Sequence, residues 1–180
     1  MNKIVLNAGA GYSALMDFAY AVDEFEGWDE IRLDINPDTN AHIIGDIRQM
    51  KNIASNLFDA VFSCHTLEHI YTTNVPYALR EFRRVLKPGG FVALYLPDFR
   101  KIAPIILGNR GEEILYEIHG NKIRAVDMIF GLEGAIINAP MMMHKTLFTK
   151  ESITKKLTSA RFKNIKISED EYDLWVKAYK

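Results

Sequence analysis

A short apolar run, Ile4-Val5-Leu6, leads straight into Asn7-Ala8-Gly9-Ala10-Gly11. Apolar runs and amphipathic stretches then alternate through the first hundred residues. Residues 12–25 carry Leu15, Phe18, Ala19 and Val22 at helical spacing. Ile31-Arg32-Leu33-Asp34 reads as a strand ending in an acid, and His42-Ile43-Ile44-Gly45-Asp46 as a brief third strand. The link between them is too short for a full helix. Phe58-Asp59-Ala60-Val61-Phe62-Ser63 is a fourth strand, followed by a helix over 74–86 with Val75, Leu79, Phe82 and Leu86 on one face. Asn74 suits its N-cap and Pro76 its first turn. Lys87-Pro88-Gly89-Gly90 ends it, and residues 91–96 form a strand apolar on both faces. Alternation of this kind predicts a parallel sheet covered by helices.

The regularity breaks over residues 98–147, which hold mixed helical signals, several glycines and the run Met141-Met142-Met143. Order resumes with Thr149 as an N-cap and Ile153, Leu157 and Ala160 on one helix face. Residues 163–168 and 172–179 close the chain as strands. Only Glu169-Asp170-Glu171 separates them, so they predict a hairpin and an antiparallel last strand. The expected architecture is one α/β domain over 1–180, a Rossmann-like seven-stranded sheet in the order 3-2-1-4-5-7-6. Helices cover both faces, and a helical insertion at about 98–147 forms lid and substrate wall.

A chain of 180 residues can bury a proper core without disulfides or metal staples. Its net charge of −1 supplies no global basic field for nucleic acid or anionic membranes. Local basic clusters (Arg80, Arg83, Arg84, Lys87; then Lys155, Lys156, Arg161, Lys163, Lys166) read as solvated faces or as a docking surface for an acidic partner. Cys64, the single cysteine, cannot form an internal disulfide, which fits a reducing compartment. With no leader and no spanning apolar run, the expected location is cytoplasmic.

The glycine turn after the first strand and the acid ending the second are how an open α/β sheet holds a nucleoside. Gly9 and Gly11 let the backbone approach, and Asp34 takes the ribose hydroxyls. Gly9-x-Gly11-x-x-Ala14 also fits a dinucleotide fingerprint, so by itself the loop admits both NAD and S-adenosylmethionine.

A parallel sheet ending in an antiparallel hairpin resembles the class I S-adenosylmethionine-dependent methyltransferases, and the motifs are most similar to the methyltransferase type 11 group. Leu6-Asn7-Ala8-Gly9-Ala10-Gly11 resembles the first motif, Leu33-Asp34-Ile35-Asn36-Pro37 the second and Gly45-Asp46-Ile47 the third. Phe58-Asp59-Ala60-Val61 with Leu67-Glu68-His69-Ile70 resembles the fourth. Arg83-Arg84-Val85-Leu86-Lys87-Pro88-Gly89-Gly90 is the most specific piece, and Phe148-Thr149 with Ala160-Arg161-Phe162 resembles the late helix. The likeness spans residues 3–100 and 147–180.

The resemblance implies S-adenosylmethionine as cofactor, with S-adenosylhomocysteine as product. It implies a cofactor site built from Asn7, Ala8, Gly9, Ala10, Gly11, Asp34, Ile35, Asp46, Ile47, Cys64, His65 and Leu67. Asp46 and Ile47 would meet the adenine, and backbone groups around Cys64 the methionine end. Two positions depart from the family: Asn7 stands where an acid is usual, and Ser13 where a third glycine is. An amide lacks the carboxylate's attraction for the methionine ammonium, which predicts weaker binding. Relatives commonly carry helices before the first strand, so water exclusion is expected to fall to the insertion.

His65, Glu68 and His69 form an H-x-x-E-H string that shares one face if helical. Inverzincin proteases use this spacing, and some O-methyltransferases carry a similar E-x-x-E-H string at the same place. The protease reading fails on context. A metal needs another ligand, His144 or Asp98, and the expectation is no metal. His65 and His144 are the candidate catalytic residues, able to take or orient a proton near the transferred methyl. Cys64 reads as a small packing residue, the Met run as core, lid or a pliable substrate wall, and His42 and His119 as surface or core. Tyr95, Asp98, Tyr116 and Asp127 are further polar groups available to a site.

The leading expectation is methyl transfer to a hydroxyl or amine of a small molecule such as a sugar or metabolite. Nucleic acid and membrane are not expected partners, and a homodimer through the insertion stays open. The alternatives are a weakly active cofactor-binding module completed by a partner subunit, a protein methyltransferase, and an NAD-dependent oxidoreductase. The Lys87-Pro88-Gly89-Gly90 turn and the terminal hairpin argue against the last.

Overall fold

The computed structural model describes residues 2–18, 24–118 and 120–180. The main sheet contains β1 (Ile4–Ala8), β2 (Asp29–Asp34), β3 (Ile43–Ile44), β4 (Phe58–Cys64), β5 (Leu86–Pro97), β8 (Lys163–Glu169) and β9 (Asp173–Tyr179). A separate hairpin pairs β6 (Ile114–Ile118) with β7 (Asn121–Arg124). The order across the main sheet is β3-β2-β1-β4-β5-β9-β8. Counted along that sheet alone this is 3-2-1-4-5-7-6, with β9 antiparallel to both β5 and β8. The small β6-β7 hairpin, which no sequence pattern announced, is the addition.

Alternation along each strand sends side chains to opposite faces, and the core divides accordingly. Val61 of β4 joins Leu6, Leu33, Val92 and Leu94 in one cluster, under α1 (Val75–Val85) and the late helix over Lys150–Ser159, and Phe58 joins them because the register breaks between it and Ala60. Ala60 and Phe62 join Val5, Phe25, Phe91 and Ala93 in the other, with Trp28, Trp175 and Tyr179 packed against them. Both faces are thus apolar, which explains why the central strands read as unbroken hydrophobic runs.

The helix over Val75–Val85 follows its predicted stripe at Val75, Leu79 and Phe82 and also buries Val85, while Leu86, expected on that stripe, opens β5 instead. Thr149 caps the late helix, its hydroxyl accepting from the Ser152 N–H at 3.2 Å. The trimmed crossover after β2 is a single turn, Pro37–Thr39. Of the helix expected over 12–25, a turn at Leu15–Asp17 is present; Ala19 and Val22 lie outside the described residues, as does His119.

The Lys87-Pro88-Gly89-Gly90 motif does structural work away from the cleft. Phe58 pairs with Leu86 but Ala60 with Phe91, so residues 87–90 bulge out of β5. Lys87 Nζ reaches Asp59 Oδ2 at 2.7 Å, and the same oxygen accepts from the Ile4 N–H at 2.9 Å. A β-carbon at Gly90 would lie 2.8 Å from the Asp59 carbonyl oxygen. Arg84, read from sequence with a solvated basic face, instead donates to the Met50 and Ile53 carbonyls, both at 2.8 Å, and pairs with Glu81.

The segment after β5 forms α2 (Phe99–Leu107), the β6-β7 hairpin, α3 (Asp127–Phe130) and α4 (Glu133–Asn138). It has its own small core of Ile102, Ile105, Ile123, Ala125 and Met128. Phe99 N–H donates to the Phe148 carbonyl at 2.9 Å, and Tyr116 stacks on Tyr172, which anchor it to the sheet's carboxyl edge. Met141, Met142 and Met143 are half-exposed rather than core, on and just after a turn at Pro140–Met142.

Candidate active site

The strand order reverses between β1 and β4, and in open parallel sheets the crevice outside the carboxyl ends at that point takes the ligand. The chain leaves β1 through Gly9 and Gly11, both in the left-handed region at φ +77° and +56°. Gly9 and Ala10 N–H groups donate to the Leu33 carbonyl at 2.8 and 3.1 Å, tying the loop to the end of β2. Asp34, last residue of that strand, accepts from the Gly11 N–H at 2.8 Å through Oδ2 and from the Asn36 N–H at 2.8 Å through Oδ1. The carboxylate is thereby fixed beside the glycine turn, with a second lone pair on each oxygen still able to accept from a diol.

The other candidate cofactor residues fall into two sets. Ile35 is half-exposed just beyond Asp34, while Ala8, Ala10, Ile47 and Leu67 are buried. Leu67 is fully enclosed. Asp46 is clamped by Arg48, whose Nε lies 2.9 Å from both carboxylate oxygens. Burial pulls the Asp46 carboxyl upward, but the Arg48 hydrogen bonds outweigh it and hold the group below its ordinary value. Arg48 stands two residues beyond the acid, a partnership legible in hindsight as a local Asx-type turn.

Asn7 is buried and committed elsewhere. Its Nδ2 donates to Glu30 Oε1 at 2.8 Å, and that oxygen also accepts from the Leu15 N–H at 3.0 Å. The amide at this position is explained by a carboxylate on the neighbouring strand. No local sequence signal pairs the two, which are 23 residues apart.

Beyond β4 the chain turns sharply through Cys64 and His65, with His65 held at φ +45° by its N–H bond to the Tyr95 carbonyl at 3.0 Å. A non-glycine residue in that region is strained. Its ring lies between two carboxylates: Nδ1 is 3.2 Å from Glu68 Oε1, and Nε2 is 3.7 Å from Asp173 Oδ1. Burial alone would depress the His65 pKa, but Glu68 and then Asp173 raise it above the ordinary value. Asp173 itself is pushed up to about 6, chiefly by burial. Sequence reasoning missed Asp173; its place opposite Pro97 at the start of β9 is what brings it to the crevice.

His144 reaches the same region from the insertion. The Lys145 and Thr146 N–H groups donate to the Glu68 carbonyl at 2.7 and 3.1 Å, and the Thr146 hydroxyl donates to the Ile70 carbonyl at 2.7 Å. This zip sets the His144 ring against His69, centroids 4.9 Å apart. Burial pushes His144 below its ordinary pKa, opposite to His65. The fold therefore gathers His65, Glu68, His69 and His144. Tyr95 packs edge-on to His65 and hydrogen-bonds Asp170. Asp98 caps α2, Asp127 pairs with Arg124 inside the insertion, and Tyr116 donates to Met128 Sδ.

Residues 6–94 match the family model described as a methyltransferase domain. Among solved structures, a methyltransferase from Archaeoglobus fulgidus shares 16% identity at a TM-score of 0.66, covering 99% of this chain and 86% of that one. One from Mesorhizobium loti shares 14% identity at a TM-score of 0.61, covering 99% and 90%. The 1,6-didemethyltoxoflavin-N1-methyltransferase of Burkholderia thailandensis, solved with 1,6-didemethyltoxoflavin and S-adenosylhomocysteine, shares 16% at 0.59, covering 99% and 71%. No match was found among curated proteins. Residues 6–94 carry a methyltransferase domain, the chain as a whole has the fold of these S-adenosylmethionine-dependent methyltransferases, and S-adenosylmethionine is its cofactor.

Proposed function

We propose that this methyltransferase transfers the methyl group to a hydroxyl or amine of a small molecule, with His65 as the proton acceptor when the acceptor is a hydroxyl. The observation that carries the reading is the His65 ring at the carboxyl end of β4, next to the switch point, between Glu68 and Asp173. Methyl transfer from a sulfonium is an in-line displacement in which the enzyme mainly aligns acceptor and methyl and keeps water out. A hydroxyl must also lose its proton as its oxygen attacks. Glu68 beside Nδ1 favours the tautomer whose Nε2 is free to accept, and the raised basicity of the ring strengthens it for that task.

Gly9, Gly11 and Asp34 would hold the nucleoside, with Ile35 as an apolar contact. Asp46 would meet the adenine only after sharing or releasing Arg48. The insertion over 98–147 would act as lid and substrate wall, its half-exposed methionines offering an adaptable apolar surface. A net charge of −1 favours a small acceptor over nucleic acid. Among the described residues no helix is long and apolar enough to cross a membrane.

The test is calorimetric binding of S-adenosylmethionine and S-adenosylhomocysteine, with Asp34→Ala as control, followed by product release against a panel of small alcohols, phenols and amines. Turnover of hydroxyl acceptors that falls at least tenfold in His65→Gln, with cofactor binding retained, supports the assignment. Full turnover of hydroxyl acceptors in that variant removes His65 from it.

A further inference from the structure

We propose that Glu68, His69 and His144 form a binding site for one divalent transition-metal cation, zinc in the first instance. This goes beyond methyl transfer and does not rest on it. One potential ligand atom from each residue lies within 4.8 Å of the others. The first two come from the turn Leu67–His69 after β4, and His144 is delivered by the backbone zip between residues 144–146 and 68–70.

Three independent features point to a cation. Glu68 is only 1% exposed, and its Oε2 has no hydrogen-bond partner, Oε1 being met only by His65; His69 Nδ1 is likewise buried and unpartnered. Buried carboxylates are rarely left so, because the desolvation cost goes unanswered. Next, His144 Nδ1 lies 3.0 Å from the Met128 carbonyl oxygen. A carbonyl can only accept, so this contact places the ring proton on Nδ1 and leaves Nε2 with its lone pair. Metal-bound imidazoles are oriented by such an outer hydrogen bond. Last, His65 Nδ1 stands 3.2 Å from Glu68 Oε1 and can steady the carboxylate while Oε2 stays available.

Two imidazoles and one carboxylate suit zinc and its neighbours, whereas magnesium and calcium want oxygen ligands. Zinc ligands at about 2.0–2.2 Å in tetrahedral array stand roughly 3.4 Å apart. Closing from 4.8 Å takes movements of about an ångström, within reach of small side-chain rotations. Three protein ligands leave an open position. A cavity of about 10 Å³ lined by Glu68, His144, Phe99, Ile102 and Met128 adjoins two of the three ligands and has room for one water-sized occupant.

Chelator-treated full-length protein, without cofactor, is titrated with Co(II) followed by visible absorption, and then with Zn(II) in competition. One equivalent of Co(II) should bind with d–d bands of low coordination number and be displaced by zinc, while Mg(II) does nothing. Zinc affinity should fall at least roughly tenfold in both Glu68→Gln and His144→Gln, and stay unchanged in His42→Gln. Absence of saturable Co(II) binding by the wild-type protein overturns the proposal whatever the variants do. Unchanged affinity in both ligand variants, each shown to be folded by its thermal transition, overturns it equally. Glu68 would then be balanced by imidazolium protons alone. Cofactor affinity is measured separately, so a failure of the methyl-transfer reading would not be mistaken for a failure of the metal site.

Discussion

The Thr66 side chain closes over Gly9: a β-carbon at position 9 would meet Thr66 Cγ2 at 2.2 Å and Thr66 Cβ at 2.8 Å. Thr66 cannot swing aside freely, because its hydroxyl donates to the Cys64 carbonyl at 2.9 Å and lies 3.2 Å from the Gly9 carbonyl oxygen. The β4 exit and the β1 exit are thus packed backbone to side chain across the cleft floor. Gly9→Ala adds about 1–2 kcal/mol for the left-handed backbone and about 1–3 kcal/mol for overpacking. The expected result is a lower melting temperature and loss of S-adenosylhomocysteine binding in calorimetry. Thr66→Gly in the same chain should recover part of the stability; no recovery would show that the contact is not what limits position 9.

Asn7→Asp restores the acid usual in the family but sets a carboxylate against Glu30, whose Oε1 is 2.8 Å from the present amide. Two like charges at that distance cannot both stay ionised in a half-buried site. The variant should melt lower than wild type at pH 7.5 and recover as pH falls toward 5, when the pair takes up a proton. Cofactor affinity should not improve. A tighter-binding variant of undiminished stability would mean that Glu30 turns away and the amide is the weak point of the site.

Arg84 ties α1 to the loop below it through the Met50 and Ile53 carbonyls and Glu81. Charge-assisted hydrogen bonds of this kind are worth about 1.5–3 kcal/mol, so Arg84→Ala should lower the melting temperature by roughly 3–12 °C in a chain of this size. Arg84→Lys should recover little, since one ammonium cannot reach all three acceptors in a planar fork. Scanning calorimetry of both variants checks the claim, and a fully stable Lys variant would refute it.

The Asp173 carboxyl is pushed up to about 6, first by burial, then by Glu68, Asp170 and Asp98, with His65 opposing. A raised carboxyl pKa means the folded state keeps a proton that the unfolded chain has already lost. The stability it contributes is present at low pH and declines as pH rises from about 4 to about 6, with no further change above. Asp173→Asn removes that loss. In chelator-treated protein the variant should melt above wild type at pH 7.5, with the gap closing toward pH 4. A variant less stable than wild type at pH 7.5 would show that the His65 contact outweighs burial.

Much of the frame was legible in the order of residues. Short apolar runs marked β4 and β5, and a stripe at Val75, Leu79 and Phe82 marked α1, because strands covered on both faces and a helix covered on one write those patterns locally. Gly9, Gly11 and Asp34 stood out for the same reason: a left-handed turn and a strand-end acid are each written in a few consecutive residues. The β6-β7 hairpin did not, since its four- and five-residue strands are mostly exposed and carry no clear alternation.

What only the tertiary structure decided is which side chains meet. Asn7 finds Glu30 across a parallel pair, Arg84 finds Met50 and Ile53, and Asp173 reaches His65 from the last strand. His144 joins Glu68 and His69 only because the end of the insertion hydrogen-bonds the turn after β4, 76 residues earlier in the chain. Local periodicity sets the direction a side chain points from its own strand or helix. The partner it finds depends on how distant segments pack, and that is settled by burial of the whole core rather than by any short run of sequence.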